Sequence, residues 1–211
     1  MSHSTLPVTM SHAESDTKAE AMRIDNFKFA TWLYLASEVV IFMMFIGGYV
    51  VFRFNEPAIV SQLHEETNIL LVTLNTFLLL TSSWAMVMGL REIKRDNVKG
   101  LINWFMLTTA LGVIFMILQY VEYTELSHLG ITLGINPNSP EWGSFGARFY
   151  VPTFFHGLHV FVGVVWCLLI IRHARRGGYS AQHNLSVEIF GLYWHFVDVV
   201  WIILFTLIYL V

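Results

Sequence analysis

Five long apolar runs constrain this chain more than any other feature of its sequence. They extend from Phe29 to Phe52, Ile69 to Leu90, Leu101 to Tyr120, Phe149 to Ile171 and Ile189 to Val211, and only Glu38 and Asp198 carry a formal charge within them. A helix rising about 1.5 Å per residue needs roughly 20 such residues to cross a bilayer core. A closed β-barrel is the other spanning solution, but its strands are short and alternate strictly, and these runs do neither. The expectation is an all-α integral membrane protein, a bundle of five transmembrane helices. Composition agrees. Charged residues make up 13% of the chain, against about 25% in soluble domains, and nearly all of them lie between the runs.

The connecting segments assign the sides. Arg91, Lys94, Arg95 and Lys99 follow the second run, and Arg172, Arg175 and Arg176 follow the fourth. The other two loops are acidic on balance, with Glu56, Glu65 and Glu66 beside Arg53, and Glu122, Glu125 and Glu141 beside Arg148. The positive-inside rule then places the N-terminus and both basic loops in the cytoplasm and the C-terminus outside. Residues 1–27 are polar, without the apolar stretch of a signal peptide. They are expected to be a flexible cytoplasmic tail, with a short surface helix near Lys18 to Asp25, ahead of a five-helix domain over 28–211. The third loop concentrates turn formers at Asn136, Pro137, Asn138, Ser139 and Pro140, followed by Gly143 and Gly146. Gly177 and Gly178 mark a tight turn. Cys167, the single cysteine, has no disulfide or thiolate-site partner and reads as a small apolar residue.

Polar groups inside membrane helices are costly and are the places to look for function. Glu38 lies in the first run, Asn75 in the second and Gln119 in the third. His156 and His159 share a face of the fourth, and His195 and Asp198 repeat that spacing in the fifth, flanked by Trp194 and Trp201. These imidazoles and carboxylates could supply metal ligands, but no His-Glu-x-x-His run is present. Histidines three apart on one helix cannot sandwich a haem. Two readings remain open: proton exchange at Glu38, and hydrogen bonds between helices that orient the bundle. Gly47, Gly48, Gly157 and Gly163 are candidates for close helix packing. The basic clusters are short and juxtamembrane, which suits topology and anionic lipid rather than nucleic acid. No phosphate-binding glycine loop or nucleophile constellation occurs.

Longer stretches carry a resemblance. Phe155-His156-Gly157-Leu158-His159-Val160 with Gly163, and Tyr193-Trp194-His195-Phe196-Val197-Asp198-Val199-Val200-Trp201 continuing to Phe205 and Tyr209, resemble the last two helices of subunit III of haem-copper oxidases in its five-helix form. Leu35 to Phe42 is similar to the segment that holds the family's intramembrane glutamate. Asn75 with Thr76, and Gln119 with Glu122 and Tyr123, match two further helices, so the resemblance spans residues 28–211.

The resemblance implies an accessory subunit of a bacterial terminal oxidase in the cytoplasmic membrane. Such a subunit binds no haem or copper itself. It packs against the catalytic subunit I, which reduces oxygen to water and pumps protons, in a complex with subunit II and further small subunits that together hold the haem and copper. It also holds phospholipid and sustains proton uptake during turnover. Glu38 takes the place of the family's carbodiimide-reactive glutamate; His156, His159, His195 and Asp198 take the place of helix-organising residues that line a lipid cleft. Seven-helix members carry two helices ahead of this core, where only the polar tail stands here, so the full cleft would need a wall from another subunit. Cytochrome c oxidase is the main reading. A quinol oxidase, a nitric oxide reductase accessory subunit and an independent proton channel are the alternatives.

Overall fold

The computed structural model describes residues 8–60, 69–134, 142 and 145–210. Five helices are long and apolar enough to cross a membrane. They are α1 (Val8–Asn55), α2 (Ile69–Lys94), α3 (Val98–His128), α4 (Phe145–Arg175) and α5 (Leu185–Phe205), the last continued by a π-helical turn over Thr206–Leu210. No strand occurs among the described residues. In lipid this is the arrangement that satisfies every backbone group within its own segment.

The helices outrun the apolar stretches that announce them. Residues 8–27, expected as a flexible tail with a short helix near Lys18 to Asp25, are helical throughout. The stretch holds Lys18, Ala19, Glu20, Ala21, Met22 and Arg23, all strong helix formers, and neither Gly nor Pro. Helix α4 likewise starts at Phe145 rather than Phe149, taking in Gly146, which had been expected in a turn. A Cβ at Gly146 would collide with the carbonyl oxygen of Thr132, so the bare backbone lets the incoming loop pass close by. The turn formers at 136–140 and Gly143 lie outside the described residues.

The described residues fall into two compact units that part between Glu38 and Val39. In the larger one, α2, α3, α4 and α5 close a ring, each in contact with the next and α5 returning to α2. The α1 segment after Glu38 lies on α4 and α5, with Phe42 against Phe155, His159 and Phe196. Its end caps α5. Arg53 donates to the carbonyl of Leu207 at 3.3 Å and the Tyr49 hydroxyl to that of Ile208 at 3.5 Å, which supplies partners for terminal carbonyls and a cation at the negative end of the helix. At the opposite end Lys94 pairs with Glu188 at 2.9 Å, and Asp96 accepts from the amide of Ala181. The loops after α2 and α4 therefore share one side, as the alternation of loop charge requires.

Candidate functional site

The interior of the ring is organised around two tryptophans of α5. The Trp194 ring fills a slot between α3 and α4 that only glycines leave open. A Cβ at Gly163 would lie 2.5 Å from Trp194 Cζ3, and one at Gly112 would lie 3.2 Å from its Cη2. Its indole N–H donates to Ser82 Oγ on α2 at 3.1 Å. One side chain thus touches all three other helices of the ring. Two turns further on, Trp201 donates to Thr76 Oγ1 at 3.0 Å, meets Phe115 edge-on at 4.8 Å and stacks on His156 at 5.0 Å. Both indoles are buried, with apolar bodies packed and polar atoms paired.

The other buried polar residues group near Trp201. Asn75 donates to the Phe115 carbonyl at 3.4 Å. His156 is fully enclosed, and neither ring nitrogen has a hydrogen-bond partner among the described residues. His159 places Nδ1 2.8 Å from the Phe155 carbonyl, while its own carbonyl accepts from the Tyr193 hydroxyl at 2.9 Å. Toward the far end of α3, Gln119 donates to Glu122 at 2.7 Å, and Tyr209 from the π-helical turn lies against both. Glu122 was counted from sequence among the loop acids; it is a buried helical residue. Its spacing of three from Gln119 was the signal available.

His195 and Asp198 separate. Asp198 is buried beside Ser83, with Oδ1 unpartnered among the described residues. His195 is exposed, its Nδ1 2.8 Å from Ser83 Oγ, so the expected pair of buried tethers holds for one member only. Glu38 is half-buried on α1, with Tyr34 one turn earlier beside its carboxyl. Of the glycines, Gly163 is indispensable to the Trp194 slot. A Cβ at Gly47, Gly48 or Gly157 would meet nothing within 4 Å, so the close helix approach expected at those three is absent among the described residues. Gly47 and Gly48 lie on the exposed side of α1, and Gly157 lines a groove. Gly112, Ser82 and Ser83 were missed: a glycine or serine within an apolar helix does not announce which neighbour it serves.

Two cavities of about 560 and 450 Å³ lie between α3 and α4 and share Tyr123 and Phe154. A third, of about 550 Å³, sets Arg172, Arg175 and Arg176 around Met106, Leu168 and Ile171. Among the described residues no three His, Cys, Asp or Glu side chains gather as a metal site would need. His156 has Trp201 across its face and Phe115 at its edge, so no porphyrin could reach it.

A bundle of five helices long and apolar enough to cross a membrane, tied together by the tryptophans of one of them, defines the class: an all-helical, multi-pass membrane protein. The sequence profile described as "Cytochrome c oxidase subunit III" matches residues 9–211, and the chain belongs to that family. It is 38% identical over 183 residues to cytochrome c oxidase subunit 3 of Synechocystis, covering 86% of this chain and 74% of the relative. It is 37% identical over 186 residues to the protein of that name from Thermostichus vulcanus, covering 84% of each. It is 32% identical over 200 residues to quinol oxidase subunit 3 of Bacillus spizizenii, covering 95% and 93%. The chain is accordingly an accessory subunit III of a haem-copper oxidase, a multi-pass membrane protein that works in a complex with other oxidase subunits.

Proposed function

We propose that this chain stabilises the catalytic subunit of a bacterial cytochrome c oxidase in the cytoplasmic membrane, holding phospholipid and sustaining proton uptake while oxygen is reduced to water. Its N-terminus faces the cytoplasm, residues 28–211 form the working domain, and subunits I and II hold the haem and copper. The observation that carries the reading is the use made of the interior polar groups. They tie helix to helix, as Trp194 to Ser82 and Trp201 to Thr76, instead of converging on an ion or a substrate.

The lipid role draws support from the cavity of three arginines over an apolar floor, since guanidinium groups beside apolar surface at a membrane boundary suit an anionic headgroup and its chains. Glu38, a carboxyl within a membrane helix, is the proton-responsive group in this reading. A quinol oxidase is the second reading, favoured by the near full-length match to the Bacillus subunit. Purification of the intact complex tests the proposal: the chain should accompany a haem-bearing subunit, and a copper-bearing cytochrome c docking subunit should be present. Its absence, with quinol supporting turnover, would favour the second reading.

A further inference from the structure

The seam between α2 and α5 presents a polar group where a membrane helix facing lipid should have none. His195 is about ten residues from the start of α5 and Ser83 about eleven from the end of α2, so both sit roughly 15 Å below the shared loop side. At that depth acyl chains offer no hydrogen bond, and an exposed polar side chain is costly. His195 is nevertheless exposed, while Ser83 and Asp198 beneath it are buried.

The proton inventory says what would satisfy it. Ser83 Oγ lies 2.8 Å from His195 Nδ1. With Nδ1 engaged by Ser83, Nε2 is left with a proton to give or a lone pair to fill, according to the tautomer. No partner for Nε2 is found among the described residues. Around it the surface is apolar: Leu80 on α2, one turn from Ser83, and Val199 and Ile202 on α5, at turn spacings from His195, are all exposed.

We propose that this seam is the docking face for a transmembrane helix of another oxidase subunit, which supplies a hydrogen-bond partner to His195 Nε2. The proposal rests on the subunit reading and adds the face and the chemistry of its partner. An acyl chain would cover Leu80, Val199 and Ile202 equally well but would leave Nε2 unpaired. A second copy related by two-fold symmetry would bring the same imidazole back to this face, with two donors or two acceptors opposed when both rings share one tautomer. A helix carrying a hydroxyl, amide or indole N–H meets both requirements.

The test uses the complete oxidase with a photo-crosslinking residue at Leu80, Val199 or, as a further reporter, Ile202, and a control at the exposed Leu169 of α4. Irradiation should join the seam positions to one other oxidase subunit, in clear excess over Leu169. His195→Phe should lose retention of the chain in detergent, and His195→Gln, which keeps an acceptor, should recover much of it. Crosslinks from the seam to lipid alone, or to a second copy of the chain, would overturn the docking face, as would crosslinks leaving chiefly from Leu169. Gln and Phe behaving alike would overturn the hydrogen-bonding role of His195. An unsubstituted oxidase purified without this chain would instead overturn the subunit reading.

Discussion

Trp194 and His195 are consecutive residues with opposite settings. The tryptophan is enclosed by three helices and pairs with Ser82 inside the ring; the histidine stands outside and pairs with Ser83, the next residue of the same neighbouring helix. A one-residue step along α5, matched by a one-residue step along α2, thus turns an internal tie into an outward-facing group. Inside, the indole N–H is satisfied within the chain and contributes to its stability. Outside, satisfaction has to come from another molecule, and the energy goes into assembly.

The largest effect should come from filling the Trp194 slot. Gly163→Leu places a side chain where even a Cβ would approach the indole to 2.5 Å. Such overpacking costs about 1–3 kcal/mol or more, so thermal release of the chain from the complex should fall by many degrees. Trp201→Phe is milder. It keeps the ring stacked near His156 and Phe115 but removes the bond to Thr76, a loss of about 1 kcal/mol visible as a smaller shift in the same assay. His195→Phe should cost the chain's own fold no more than about 1 kcal/mol, the loss of the bond to Ser83, while weakening its retention in the oxidase. A His195 variant that destabilised the fold as much as Gly163→Leu would erase the contrast between the two sides of α5.

Glu38→Gln should have the smallest effect. It keeps size and hydrogen bonding and removes titration. Oxygen reduction should fall far less than the roughly 10²–10⁴-fold that loss of an obligatory proton-transfer group costs, with pumping retained. Complete loss of pumping in an assembled Glu38→Gln oxidase would place this carboxyl on the main proton path.

Much of the fold was legible because lipid enforces a simple rule: apolar runs near twenty residues become helices. The helix ends were not legible in the same way. Lys18 to Arg23 carries its helix through polar sequence, where hydropathy falls silent but helix propensity persists, and Phe145 to Arg148 opens α4 despite Gly146. In the site, Trp194, Trp201, His156 and Asp198 were found as buried because polar or bulky groups in apolar runs stand out. What they touch was not, since Gly112, Ser82 and Ser83 acquire meaning only from the rings packed against them. Gly47, Gly48 and Gly157 show the converse, small residues with no close neighbour to accommodate.

The central claim is that this chain supports the oxidase without holding any of its redox centres. Stripping it from the purified complex tests that most directly, by measuring haem and copper content, the reduced-minus-oxidised spectrum and the time course of oxygen consumption. The account predicts unchanged metal content and spectrum, an initial rate largely kept, and a faster decline of activity under sustained turnover. Release of haem or copper together with the chain, or a shift of the haem bands on its removal, would contradict it.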